Sequence, residues 1–439
     1  MTVTLATDRL APRAVNPTPV RPPARPERLF AATSLLVFAG ALLPQLIGGA
    51  NRDQSDLPGL VAQGLLCLVA VVLTARLPGG VSRAVDRLDP LLLALLGVTV
   101  LSVAWSVDPA LTARRAGAVV AVTAFGLWLA ERWTLEEQLW LVLQTLTAAA
   151  VLSVLLAVVV PRYGVAPGSG GDWRGVFVQK NVLARVAVFG VLAGLLVAGG
   201  PAHPSRRAVG GCAALLSLAV VLKAGSVFAL GSIAVVLGVA AFVVMLRSAF
   251  PLRPALGLLI VTAVVGSATL LWLHSGTVLN AAGRDSQLTG RVPLWTSVLQ
   301  AVGERPLLGY GYGAFWQGWQ APSTTVLLQN PWGPPHAHNG VLESALGVGV
   351  VGTALWVAAL WSAGRRGLRL LRHERTAVSA WPLGFVLLLA SFNVTEVTTM
   401  ANACFWALFV AVSAGTRRRA GHGPVVPSTD QGRATTPGE

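Results

Sequence analysis

The feature that most restricts this chain is a succession of apolar runs, each about as long as a bilayer is thick, separated by short arginine clusters. The runs fall at residues 29–50, 57–75, 90–107, 112–130, 137–160, 181–199, 208–222, 225–246, 254–273, 339–363, 378–395 and 400–415. A helix needs roughly 20 residues to cross the hydrocarbon core, and within lipid it satisfies its own backbone groups. The runs therefore predict an all-α polytopic membrane protein with about 12 transmembrane helices. Only Lys223-Ala224-Gly225 separates the seventh run from the eighth. Composition agrees, with 54% hydrophobic and 12% charged residues. That charge content is about half that of a soluble domain and excludes a chain disordered throughout.

The runs divide the chain. Residues 1–28, rich in proline and arginine, read as a disordered cytoplasmic tail, and the first run as an uncleaved anchor. Residues 29–273 hold spans one to nine, 274–338 a large extracytoplasmic loop, 339–415 spans ten to twelve, and 416–439 a second disordered cytoplasmic tail. Cys67, Cys212 and Cys404 lie inside apolar runs and suit neither a zinc site nor a disulfide framework.

Charge sets the orientation. With the N-terminus cytoplasmic and every run spanning, the outer side receives Arg52, Arg114, Arg115, Arg162, Arg174, Lys180, Arg185, Lys223, Arg284, Arg291 and Arg305. The other 22 of the 33 basic residues fall on the inner side. This excess is the positive-inside pattern, so the net charge of +15 points to a lipid bilayer rather than to nucleic acid. The outer cations, which include both lysines of the chain, need another reason to be where they are.

The long loop carries the densest signal. It reads GRDSQLTGRVPLWTSVLQAVGERPLLGYGYGAFW and ends in PPHAHNGVLESALGVGVVG. Residues 292–302 have helical spacing, with Leu294, Trp295, Val298 and Leu299 on one apolar stripe suited to the membrane surface. Gly309, Gly311 and Gly313 alternate with Tyr310 and Tyr312 in a tight, irregular turn.

These motifs together resemble the O-antigen ligase and O-antigen polymerase superfamily. The residues concerned are Thr289, Gly290, Arg291, Leu294 and Trp295; the segment Arg305 to Phe315; and His338, Asn339, Leu342 and Glu343. Two upstream segments are similar as well, Ser102 to Pro109 and Gly175 to Asn181. The resemblance covers roughly residues 100–400. It departs where the family often has a serine followed by a basic residue, because this chain has Ser226-Val227 with Lys223 three positions earlier.

The resemblance implies a GT-C-like glycosyltransferase in a bacterial inner membrane, with its active site extracytoplasmic. The donor would be a glycan on undecaprenyl pyrophosphate, and the acceptor a glycan, a lipid or a protein. It implies no cofactor and no metal. Ligase and polymerase both remain open.

Such chemistry constrains the residues. A departing pyrophosphate gains negative charge, and arginine grips phosphate with a planar, permanently charged fork. Arg291 and Arg284 in the loop are candidates, with Arg174, Lys180 and Arg185 from the other outer region and Asn181 beside them. No Asp-x-Asp pair occurs in an outer loop. The acceptor hydroxyl needs a base, and histidine is poised near neutral pH. Of the six histidines, His336 and His338 precede a span within the loop, and His338 matches the family's His-Asn pair with Asn339. Glu343, an acid at membrane depth, invites a functional reading. It could orient His338 if the helix starts after that residue, or complement the helix N-terminus. The side of Glu396 is left open. Tyr310, Tyr312 and their aromatic neighbours suit either sugar stacking or the interfacial belt. Gly347, Gly349 and Gly352 spell a dinucleotide fingerprint but lie in an apolar span, where small residues serve packing. A small-anion transporter is the alternative function, though no internal repeat of the kind such folds show is evident.

Overall fold

The computed structural model describes residues 23–41, 57–247, 257, 291–400 and 403–420. Among the described residues the chain is all-helical, with one isolated β-bridge between Val165 and Trp173. In chain order the helices are α1 (Arg25–Phe38), α2 (Leu57–Ala75), α3 (Gly80–Asp86), α4 (Pro90–Leu101), α5 (Pro109–Arg132), α6 (Leu135–Val159) and α7 (Lys180–Ala198). They continue with α8 (Pro204–Ala224), α9 (Val227–Arg247), α10 (Arg291–Glu304), α11 (Thr324–Gln329), α12 (Gly340–Glu374), α13 (Trp381–Phe392) and α14 (Ala403–Ala420). A helix lies in each expected run except 254–273, which apart from residue 257 is outside the described residues.

Six of these helices, α5 to α9 and α12, are individually long and apolar enough to cross a membrane. A seventh span follows if α2 and α3, bent by 102° at their junction, count as one. The protein is a multi-pass membrane protein. α7 is the most enclosed of the six and α9 the least, as expected for a central helix and a lipid-facing one.

Local chemistry fixes the boundaries. Asp89 caps α4 by accepting a hydrogen bond from Leu91 N, and Asp108 caps α5 through Leu111 N; each is followed by proline at the first helical position. Thr134 and Glu137 form a capping box at the start of α6. The narrow spacer at Lys223-Ala224-Gly225 is a real break, because Gly225 ends α8 with φ +59. The first helix starts four residues before its expected boundary. Glu27 accounts for this, accepting from Ala24 N and pairing with Arg132 on α5 at 2.5 Å.

The long loop is part of the bundle. α12 is broken at Gly349, whose φ of 65° and ψ of −172° suit glycine almost alone. The segment after α10 fills the break. Val350 N donates to Pro306 O (2.8 Å), Val351 N to Leu307 O (3.3 Å), and Tyr310 N to Leu346 O (2.8 Å). A β-carbon on Gly349 would collide with Leu307. The glycines of the discarded fingerprint thus do serve packing, but Gly349 receives a loop rather than a second helix. The Ser102–Pro109 segment holds the other side: Ser102 Oγ accepts from Tyr312 N (3.0 Å), Trp105 Nε1 donates to Leu308 O (2.9 Å), and Arg115 donates to Gly313 O.

A small outer core forms beneath this turn. Leu294, Val298, Tyr310, Phe315, Ala337 and Leu346 are buried together. Leu299, expected on the same stripe of α10, is exposed. The buried stripe runs from Leu294 through Val298 to Ala301, a spacing of four and three.

Candidate functional site

One carboxylate gathers several helix ends at one end of the bundle. Glu396 lies in the link between α13 and α14. Its Oε1 accepts from Arg291 Nη2 at 3.2 Å and from Asn181 Nδ2 at 3.4 Å. His338 Nδ1 stands 4.0 Å from its Oε2, a close approach but not a hydrogen bond. Arg185, one turn into α7 from Asn181, is its electrostatic neighbour. Four separate segments converge: the start of α7, the start of α10, the turn before α12, and the α13–α14 link.

The arginines are buried and incompletely used. Arg291 is 5% exposed and Arg185 6%. The Arg291 guanidinium lies 4.6 Å from the Phe228 ring, and that of Arg185 lies 5.4 Å from Phe405. Arg291 Nη1 and Arg185 Nε have no hydrogen-bond partner among the described residues. Burial lowers the Arg291 pKa, against the opposing pull of Glu396. A buried donor left without a partner is costly, so two of them on two cations mark a place prepared for an anion.

His338 is held under strain. Its φ is +48°, a conformation that costs about 1–3 kcal/mol away from glycine and clusters at functional sites. Both ring nitrogens are buried without partners among the described residues. The rings of His336 and His338 lie 3.9 Å apart, and that of Trp332 is 5.6 Å from His338. Burial, then His336 and Arg291, push the His338 pKa from 6.5 down to about 3. Burial also lowers that of His336, although Glu396 opposes it. Both rings are therefore neutral near pH 7; His336 Nδ1 accepts from His338 N at 3.1 Å, which leaves the His338 ring as the one with a lone pair free to accept a proton.

Other expected residues stand elsewhere. α12 does begin after His338, capped by Asn339 Oδ1 through Val341 N and Leu342 N. Even so, Glu343 does not orient His338. Its Oε2 accepts from Trp316 Nε1 (3.1 Å) and Ala337 N (2.8 Å), stapling the loop to the span. Asn339 Nδ2 donates to Val394 O (3.1 Å), tying the cap to the link that carries Glu396. The Tyr310 hydroxyl is within 2.9 Å of Ala301 O and 2.7 Å of Glu304 Oε2, a position inside the outer core rather than at a ligand surface. Tyr312 takes part in that turn through its backbone. Lys180 pairs with Asp172 at 2.7 Å, Arg174 Nε donates to Tyr163 O at 2.9 Å, and Lys223 lies over the Trp173 ring. No hydrogen bond or ion pair links these three cations to Glu396 among the described residues. Arg284 lies outside the described residues.

His336, His338 and Glu396 each offer one ligand atom, all within 4.8 Å of one another, and this trio could in principle grip a metal ion. Arg291 and Arg185 face the same carboxylate. Their two fixed positive charges repel a dication and attract a multivalent anion.

Comparison with known proteins accords with this geometry. The O-antigen ligase family matches residues 211–357, a stretch that contains Arg291, the glycine-rich turn and His338. The chain is also 29% identical over 268 residues to the exopolysaccharide production protein ExoQ of Rhizobium meliloti (strain 1021). Over these stretches the chain is similar to the O-antigen ligase family. The match to the Rhizobium protein covers 57% of this chain and 60% of that protein's length. Asn181, Arg185 and Glu396 all fall outside the family-matched stretch, yet they complete the cluster around Arg291 and His338.

Proposed function

We propose that this protein is an O-antigen ligase-like membrane glycosyltransferase of cell-surface polysaccharide biosynthesis, taking glycan from an undecaprenyl-pyrophosphate carrier at the outer leaflet. The observation that carries this reading is the pair of buried guanidiniums with unused N–H groups beside a neutral, unpartnered histidine. In the proposed topology about twelve helices span the cytoplasmic membrane in a GT-C-like arrangement, with both termini cytoplasmic. Six helices of span length and the inner arginine clusters support it.

The proposed reaction uses each group once. Arg291 and Arg185 bind the pyrophosphate. His338 accepts the proton of the acceptor hydroxyl as that oxygen attacks the anomeric carbon. The bond from the anomeric carbon to the pyrophosphate oxygen breaks, and undecaprenyl pyrophosphate leaves with its new negative charge against the arginines. Fixed donors aimed at developing charge are the strongest single contribution an enzyme of this kind can make. Glu396 positions Arg291 and faces His338. The exposed Trp319 and Trp332 offer stacking faces for sugar. Guanidiniums stand where a dication would otherwise neutralise the leaving group, so transfer should persist in a metal chelator.

The test is transfer from a labelled undecaprenyl-pyrophosphate glycan by purified protein. His338→Ala should lose about 10²–10⁴-fold in rate, the usual contribution of a general base. Full activity in that variant would sink the mechanism. A single product on a distinct acceptor identifies a ligase, and a ladder of lengthening glycans a polymerase.

A further inference from the structure

A second set of charges lies at the other end of the bundle. α7 runs away from the site for 19 residues, about 28 Å at 1.5 Å per residue. At its far end a cavity of about 350 Å³ opens between four connections: the start of α1, the α5–α6 turn, the α7–α8 turn and the turn before α13. That volume is within the range of small-molecule sites, roughly 300–1,000 Å³. Its lining combines Arg28 and Arg206 with Glu136 and Glu137 over a floor that includes Trp133 and Leu139.

The two signs of charge share the cavity without meeting. Among the described residues no salt bridge joins either arginine to either glutamate. Arg206 lies over the Trp140 ring at 5.3 Å. Arg28 Nε donates to Pro23 O at 3.1 Å. Glu137 is engaged by the Thr134 cap through one oxygen. Glu136 is exposed and has no hydrogen-bond partner among the described residues. Held apart around a void, these charges match a ligand that carries both signs. Beside the rim, Leu29 on α1 and Val209 on α8 are exposed large apolar residues, giving apolar surface next to a charged mouth. Basic pockets between helix ends at the membrane surface are lipid-headgroup sites, and tryptophan marks that level.

We propose that this cavity binds the headgroup of a zwitterionic aminophospholipid, with Arg206 and Arg28 on the phosphate, Glu136 on the ammonium, and the acyl chains along Leu29 and Val209. The lipid belongs to the leaflet opposite the candidate site and bridges the four helix connections that line the cavity.

Native mass spectrometry of the full-length protein with defined lipids tests this. The wild type should retain one phosphatidylethanolamine, about tenfold more tightly than phosphatidylglycerol. Arg206→Ala and Glu136→Gln should each reduce that retention about tenfold, and Gln144→Trp, which fills the cavity without removing a charge, should abolish it. Soluble glycerophosphoethanolamine should compete weakly, since it lacks the chains. Equal retention of the two phospholipids overturns the proposal, as does retention unaffected by Gln144→Trp. Loss with Arg206→Ala but not with Glu136→Gln also overturns it, because a simple anion site would behave that way. Thermal unfolding midpoints near the wild type's show that each variant is folded.

Discussion

Two arginine clusters lie near opposite ends of this bundle, and they are built on opposite principles. At the far end Arg366 is saturated. It donates to Asp89 (2.6 Å), Ser362 (2.6 Å), Ser413 (2.8 Å) and Thr416 (3.4 Å), so all three guanidinium nitrogens are used. Asp89 in turn caps α4 and accepts from Ser362. Around Glu396 the arginines are more deeply buried but unfinished, with unused nitrogens on Arg291 and Arg185 and on the neighbouring His338. A closed network ties helices together. An open one gives up part of that stabilisation for a partner that arrives later. The difference separates a structural charge from a functional one more sharply than burial does, because burial is common to both.

The comparison can be broken by substitution. Arg291→Ala should lower transfer on the order of 100-fold or more, the scale of losing a fixed transition-state donor, with a smaller fall in unfolding temperature than Asp89→Ala gives. A large loss of stability with normal transfer would place Arg291 in the other class. Asp89→Ala should do the reverse. Removing one member of a buried pair costs about 3–5 kcal/mol, read as a lowered unfolding midpoint in detergent, while transfer per folded molecule is unchanged. Glu396→Gln keeps the shape and removes the charge. A hydrogen bond to a charged group contributes about 1.5–3 kcal/mol, so transfer should fall about tenfold or somewhat more, and Glu396→Asp should recover part of it.

Acid sharpens the contrast with the smallest effect. The His338 pKa is lowered from 6.5 to about 3, so the folded ring stays unprotonated where a free imidazole would charge. The acid limb of kcat/KM in the free enzyme should therefore lie well below pH 6.5, and transfer should be nearly level from about pH 8 to about pH 5. A limb centred at 6.5 would show that His338 is not the base. The sign for stability is the opposite. The unfolded chain binds this proton more readily, so the contribution is complete above about pH 6.5 and declines as pH falls toward 3.

Much of the fold was legible in the sequence because lipid imposes one requirement on every span. Each apolar run had to satisfy its own backbone, and helices appear wherever an expected run is described. The site was half legible. Arg291 and His338 stood out as a cation and a base on the outer side, where topology signals are sparse. Glu396 did not, since its pairing with Arg291 crosses 105 residues and leaves no local pattern. Glu343 misled for the converse reason. An acid inside a span suggests chemistry, but the hydrogen bonds that settle it come from Trp316 and Ala337 in a folded loop, and helical spacing does not encode them.

The break in α12 bears on how relatives of this protein can be recombined. Because residues 306–310 form hydrogen bonds with the span at Leu346, Val350 and Val351, that segment of the loop is an insert in the span. A chimera that exchanges the whole loop at the membrane boundary would strand those backbone groups. Workable crossover points lie after Trp316, whose indole donates to Glu343 on the span, so the stretch from Gln317 to Trp332 can vary for different sugars while the segment before it travels with its helix.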